Sequence, residues 1–175
     1  MDSISQSIKK VCIYGPESVG KTTLAEKLAE DFGTNFVPEM ARSIITSNRF
    51  TLNDIISIGH MQTEMIFLSE PTANKILFCD TDLITTQIYS NLYFNFIPPI
   101  LYELEQKVKY DAYLFLDIDV PWVADNLRNF GTRRSEMMEI FIHELEKRNI
   151  SFTMISGNFI ERFNAAKEVV TKLLN

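Results

Sequence analysis

The chain has 175 residues, 46% of them hydrophobic and 23% charged, which fits one globular domain with a substantial core and excludes a disordered chain. A net charge of −6 and a pI near 5.0 exclude the basic footprint of a nucleic-acid binder, although local amides and cations can still hold an anionic ligand. No apolar run approaches the ~20 residues of a membrane span, and the polar N-terminus lacks the apolar centre of a signal peptide, so the chain reads as cytoplasmic.

Short apolar runs alternate with helical periodicity, the pattern of an α/β domain with a parallel sheet. The expectation is a three-layer α/β/α fold of the P-loop NTPase type with a five-stranded parallel sheet. A flexible N-terminus is expected over 1–8, and one domain over 9–175 with a short lid at about 121–134. Residues 11–14 read as a buried strand, 15–20 as a loop and 21–31 as a helix with Leu24, Leu28 and Phe32 at steps of four. A short strand at 35–37 stops at Pro38. Helices follow over 39–47 and 52–69, the second capped by Thr51 or Asn53. Strand 76–79 ends at Asp80, and helices follow over 81–94 and 98–107, the latter opened by proline.

Strand 113–116 ends at Asp117 and Asp119, and 121–134 is a polar, charged connection. Helix 135–148 carries Met138, Phe141, Ile142 and Leu145 on one face. Strand 152–155, a turn at 156–158 and a helix over 160–174 close the chain. Cys12 and Cys79 sit inside strands and read as reduced core thiols. His60 and His143 have no partner at ligand spacing and read as structural or exposed. Parallel strands this apolar need both sheet faces covered, and ligands of such sheets bind beyond the carboxyl ends of the strands.

Gly15-Pro16-Glu17-Ser18-Val19-Gly20-Lys21-Thr22 matches G-x-x-x-x-G-K-[ST] between a strand and a helix, the context that motif requires. Its glycines let main-chain amides converge on phosphate oxygens, and the helix adds its positive dipole end. Residues 15, 17–20 and Thr23 are therefore expected around ATP, with Lys21 at the β- and γ-phosphates and Thr22 on Mg²⁺. Asp80 at a neighbouring strand end is a candidate Mg²⁺ or base residue, and Asp82 a second cleft carboxylate. The alternative is that one or both simply cap the next helix. Glu39, after the second strand, is a candidate proton acceptor or sugar ligand, or a first-turn dipole partner, with Arg42 one turn on pairing it or touching substrate. Asp117 and Asp119 read as substrate-positioning or turn residues.

Arg128, Arg133 and Arg134 cluster in the expected lid of an otherwise acidic chain. They are candidate cations for the transferred phosphoryl group, or a solvated helix start. Trp122 is a candidate stacking partner for a flat heterocycle, or sheet-edge packing. Arg162, after the last strand, is a candidate for flanking adenine, or an ordinary surface ion pair. The aromatic stretch 89–100 reads as a pocket wall, a contact between copies of the chain, or core.

Four strings carry a resemblance: the cradle with the Thr-Leu-Ala that follows it, Asn35-Phe-Val-Pro-Glu-Met-Ala-Arg, Cys79-Asp-Thr-Asp-Leu, and Leu116-Asp-Ile-Asp-Val-Pro-Trp-Val-Ala-Asp-Asn-Leu-Arg. Together they resemble the kinase domain of NadR-type proteins from about Lys9 onward. The resemblance implies an ATP- and Mg²⁺-dependent phosphotransferase acting on the 5′-hydroxyl of nicotinamide riboside. It places Asp80 and Asp82 at the metal and hydroxyl, Glu39 and Arg42 toward the nucleoside, and Trp122 on nicotinamide. NadR-type proteins also carry an adenylyltransferase, for which this sequence shows no second nucleotide-binding motif, so a separate adenylyltransferase is an expected partner. A kinase for another nucleoside and a nucleotide-gated regulatory ATPase remain the alternatives. A GTPase switch is disfavoured, because Asp80-Thr81-Asp82-Leu83 lacks the glycine of D-x-x-G and Asn74-Lys75-Ile76-Leu77 lacks the aspartate of N-K-x-D.

Overall fold

The computed structural model describes residues 7–124 and 130–175. Five strands, β1 (Lys9–Tyr14), β2 (Phe36–Val37), β3 (Ile76–Asp80), β4 (Ala112–Leu116) and β5 (Thr153–Ile155), form one sheet in the order β2-β3-β1-β4-β5. Every neighbouring pair is parallel. The helices are α1 (Lys21–Phe32), α2 (Ala41–Ile44), α3 (Leu52–Ser69), α4 (Leu83–Phe94), α5 (Pro99–Lys107), α6 (Arg134–Lys147) and α7 (Phe159–Leu174). This is the expected α/β architecture. None of these helices is long and apolar enough to cross a membrane.

Alternation along the strands fills two layers. Val11, Ile13, Phe78 and Leu114 meet Leu24 and Leu28 of α1 and Ala166 and Val170 of α7 on one face. Cys12, Tyr14 and Phe115 meet Ile84 and Ile88 of α4 and Phe141 and Leu145 of α6 on the other. Both cysteines are buried and reduced. On α6 the buried face runs through Met137, Phe141 and Leu145, so the inward methionine is Met137 where the sequence suggests Met138. The expected helix over 39–47 shortens to Ala41–Ile44, none of which is buried. Ala41 and Ile44 pack, partly buried, against the cluster that holds Ile55 and Ile58, and the chain turns extended at Ile45.

Beside the sheet, α3, α4 and α5 form a satellite core of Ile55, Ile58, Leu83, Leu101 and Leu104. Gly59 permits their close approach, since a Cβ there would lie 2.6 Å from Leu101 Cδ2. Thr51 caps α3 through a reciprocal box with Asp54, and Asn158 does the same for α7 with Glu161. The second box is legible in Asn158-Phe159-Ile160-Glu161, which the reading of 156–158 as a plain turn passes over.

Asp82, expected in the catalytic cleft, is the cap of α4. Thr81 turns the chain at φ +71, and Asp82 Oδ1 accepts from the Thr85 N–H at 2.9 Å while Oδ2 accepts from the Tyr113 hydroxyl at 3.0 Å. The side chain is 2% exposed and turns to a small recess with Glu105 and Tyr110. Burial pushes its carboxyl up to about 6, against the hydrogen bonds from Thr85 and Tyr113 that hold it down. The folded chain thus binds this proton more tightly than the unfolded chain, whose carboxyl titrates near ~3.9. The stability gained from protonation is complete below about pH 4 and lost as the pH rises through about 6. Asp82→Asn keeps a capping oxygen and carries no charge. Calorimetry should therefore show its melting temperature improving relative to wild type between about pH 4 and about pH 7. A difference that stays flat over that range would mean Asp82 does not titrate in the fold.

Candidate functional site

The phosphate loop is shaped by three positive-φ residues. Gly15 (φ +142) lies against β4, where a Cβ would come within 2.9 Å of the Leu116 carbonyl oxygen. Ser18 (φ +59) and Gly20 (φ +86) complete the turn, and Gly20 is the residue before the first turn of α1. No side chain caps α1, so its first amides stay open to an anion. Lys21 Nζ reaches back over the loop to the carbonyls of Gly15 at 2.9 Å and Pro16 at 2.7 Å.

The register of β1 on β3 places Asp80 opposite Ile13, beside the root of the loop. Thr22 Oγ1 donates to Asp80 Oδ2 at 2.5 Å. Asp80 is 0% exposed, and its Oδ1 has no hydrogen-bond partner. Burial lifts its carboxyl to about 6, while the Lys21 ammonium pulls it down. An orphaned carboxylate oxygen beside a threonine hydroxyl is a hard-oxygen donor set that fits Mg²⁺. That ion needs only one or two protein oxygens when phosphates and water complete its shell. Among the described residues no cluster of three or more His, Cys, Asp or Glu offers an all-protein metal cage.

The loop opens into a cleft lined by residues 17–23 on one side and by Glu39, Arg42, Phe50, Gln62, Tyr89 and Tyr93 on the others. Glu39 and Arg42 pair at 3.5 Å across one turn. Phe50 and Tyr93 meet edge to face with centroids 4.8 Å apart and give the cleft an aromatic lining. The cleft therefore joins an anion cradle, a carboxylate–guanidinium pair and an aromatic slot. Tyr89 and Tyr93 come from the aromatic stretch. Phe50 and Gln62 are not found by motif reading, although a glutamine on the same α3 face as Ile55 and Ile58 is a signal in itself.

The other expected residues divide. Glu17 Oε1 accepts from the Phe130 N–H at 2.5 Å, and Ser18 Oγ accepts from the Val123 N–H at 2.8 Å. Two loop side chains thus hold both flanks of the connection over 121–134. Arg128 lies outside the described residues. Arg133 is exposed and forked onto Glu136. Arg134 donates from Nη1 to the Val120 carbonyl at 2.6 Å, while its buried Nε and Nη2 have no partner.

Trp122 is absent from the lining of the cleft and packs on Gly131, where a Cβ would lie 2.5 Å from its ring. Arg162 is 4% exposed, and its guanidinium donates to the carbonyls of Gly157, Val19 and Asp117 and to the Asp119 carboxylate. Four of its five N–H donors are engaged and the side chain is buried, so it holds the loop to the turn after β5 rather than facing a purine. Asp117 and Asp119 serve the same turn, accepting from Ser156 Oγ at 3.0 Å and the Gly157 N–H at 2.6 Å. His60 and His143 are exposed.

Comparison with known proteins agrees with this architecture. The sequence profile of the AAA domain matches residues 10–162. The trifunctional NAD biosynthesis/regulator protein NadR of Escherichia coli (strain K12) is 32% identical, covering 95% of this chain and 43% of NadR. The protein of the same description from Salmonella typhimurium (strain LT2) is 31% identical with the same coverage. The chain thus spans less than half the length of these relatives. A crystal structure of NadR in complex with NAD and AMP-PNP superposes with a TM-score of 0.81 at 22% identity, covering 95% of this chain and 49% of that one. A deoxyadenosine kinase from M. mycoides superposes with a TM-score of 0.68 at 10% identity, covering 93% and 99%. At these identities the structural likenesses show a shared fold. The profile match over residues 10–162 and the homology to NadR together make the chain a member of the AAA-domain family of P-loop proteins.

Proposed function

We propose that the chain is an ATP- and Mg²⁺-dependent nucleoside kinase that phosphorylates the 5′-hydroxyl of nicotinamide riboside to the mononucleotide. The observation that carries this reading is the continuity of the phosphate loop with a cleft holding a carboxylate–guanidinium pair and an aromatic slot. The homology to NadR, described as an NAD biosynthesis protein, and a NadR structure in complex with NR support the choice of nucleoside. Fold similarity to a deoxyadenosine kinase supports a second reading, a kinase for another nucleoside.

In the proposed reaction the main-chain amides of residues 15 and 17–20 and the start of α1 hold the triphosphate, with Thr23 beside them. Lys21 exchanges its carbonyl partners for phosphate oxygens. Thr22 and Asp80 would hold Mg²⁺, which when bound draws off charge from the β- and γ-phosphates. Glu39 accepts the proton of the 5′-hydroxyl as its oxygen bonds to the γ-phosphorus and the bond to the β-bridging oxygen breaks, releasing ADP. Arg42 fixes Glu39 and faces the nucleoside. Arg134 is held on the Val120 carbonyl outside the cleft lining and would have to turn inward to be the connection's cation for the phosphoryl group.

A panel of nucleosides with ATP and Mg²⁺, read by ADP release, tests the reading. Turnover is expected with nicotinamide riboside. A slow basal rate indifferent to every nucleoside would favour a regulatory ATPase instead. Lys21→Ala should lower kcat/KM by roughly 100-fold or more with little change in melting temperature. Normal turnover in that variant would refute the cradle assignment. Because the Asp80 carboxyl is raised to about 6, it loses charge as the pH falls through that value, and the Mg²⁺ concentration for half-maximal rate should climb below it. Asp80→Asn should be slow at every pH and show no such climb. A wild-type Mg²⁺ requirement that stays level down to about pH 5 would move the ion to another residue.

A further inference from the structure

Two glutamines are buried in the described core, and they are treated differently. Gln87 is fully engaged: its Nε2 donates to the Leu101 carbonyl and to Glu105, and its Oε1 accepts from Arg148. Gln62 is 2% exposed and lines the cleft, yet only its Oε1 is engaged, accepting from the Met40 N–H at 3.0 Å. Its Nε2 is buried with no partner. An amide of this kind is normally satisfied on both atoms, because an orphaned buried donor costs about 1–3 kcal/mol. The amide cannot relieve the deficit by flipping, since that would set its NH₂ against the Met40 N–H. Gln62 therefore presents a donor of fixed polarity, and the partner that fits it is an acceptor.

The surroundings say which part of a ligand that acceptor belongs to. Ile55 and Ile58 lie on the same face of α3 and line the same cleft, and Phe50, Tyr89 and Tyr93 complete an apolar, aromatic chamber. Charged groups that suit ribose hydroxyls and phosphate, Glu39, Arg42 and Lys21, line the same cleft. A flat ring belongs in the aromatic chamber, and Gln62 is the neutral amide of fixed polarity that lines it. We infer that Gln62 is the specificity residue of the cleft, donating from Nε2 to a carbonyl oxygen on the ring of the bound nucleoside. The inference rests on the kinase reading above and adds the group by which the ring is chosen: a ring bearing an exocyclic carbonyl, such as a pyridine carboxamide, is accepted, and a ring without one is discriminated against. Sites that hydrogen-bond a ligand group discriminate strongly against ligands lacking it, because the protein group is then left unpaired.

The test compares wild type, Gln62→Glu and Gln62→Met on nicotinamide riboside and on the pyridinium riboside that lacks the carboxamide, with uridine and cytidine alongside. Gln62→Glu keeps an oxygen for the Met40 N–H and replaces the donor with an acceptor, and Gln62→Met keeps the length without polar atoms. For nicotinamide riboside both variants should raise KM by about tenfold or more, with kcat and the KM for ATP nearly unchanged. For the carboxamide-free riboside, wild type should already have the raised KM, and neither variant should raise it further. A damaged fold would instead weaken both ribosides and ATP together, and that pattern, or a KM within about twofold of wild type on the preferred nucleoside, overturns the assignment. Should wild type prefer uridine or cytidine, with Gln62→Glu weakening that nucleoside selectively, the nicotinamide reading fails and the role of Gln62 stands.

Discussion

The register between β1 and β3 is the constraint from which the site follows. Ile13 pairs with Asp80, so the strand that launches the phosphate loop ends beside the strand that ends in a carboxylate. One hydrogen bond, Thr22 to Asp80, then ties the first turn of α1 to that strand end. A slip of one residue in this pairing would turn Asp80 to the opposite face of the sheet and separate it from Thr22. The register is protected by burial on both faces, since every residue of β3 is buried. A carboxylate is kept in so apolar a place at a cost, visible in its raised proton affinity. Its one orphaned oxygen marks where a cation would offset that cost.

A second tie works from the other side of the loop. Arg162 buries its guanidinium among the carbonyls of Val19, Asp117 and Gly157, linking the loop, the end of β4 and the turn after β5. Four acceptors satisfied by one planar cation make a rigid joint, and removing it would orphan several buried carbonyls at once. The loop is therefore gripped by Asp80 on one flank and by Arg162 on the other. Glu17 and Ser18 meanwhile reach outward to Phe130 and Val123. The same loop thus forms the phosphate cradle and holds Val123 and Phe130 in the connection.

Much of this was legible in the sequence because it is local. A strand, a glycine-rich turn and a helix in immediate succession declare the loop without knowledge of the rest of the chain. Five apolar runs declare the sheet. What was not legible depends on where a side chain turns after the backbone is set. Asp80 and Asp82 are two residues apart with similar neighbours, yet the positive φ at Thr81 sends one to Thr22 and the other to Thr85 and Tyr113. Trp122 and Arg162 carry chemistry that suits a ligand equally well, and tertiary neighbours, Gly131 for one and three carbonyls for the other, claim them first. Met137 takes the fully buried place on α6 while Met138 packs beside it, partly buried, a difference of helical phase that the sequence pattern does not resolve.

Charge explains how an acidic chain can host a polyanion. With a net charge of −6, long-range attraction for a triphosphate is absent, so the attraction has to be local. The loop supplies it from main-chain dipoles and from the Lys21 ammonium, which is held over the loop by the Gly15 and Pro16 carbonyls. In the cleft beyond, Arg42 is paired with Glu39, so that wall is close to neutral until a ligand separates them. Selectivity for the remainder of the ligand must then come from shape and single hydrogen bonds rather than field strength. That is why one buried amide nitrogen, fixed in polarity by a main-chain N–H, carries weight out of proportion to its size.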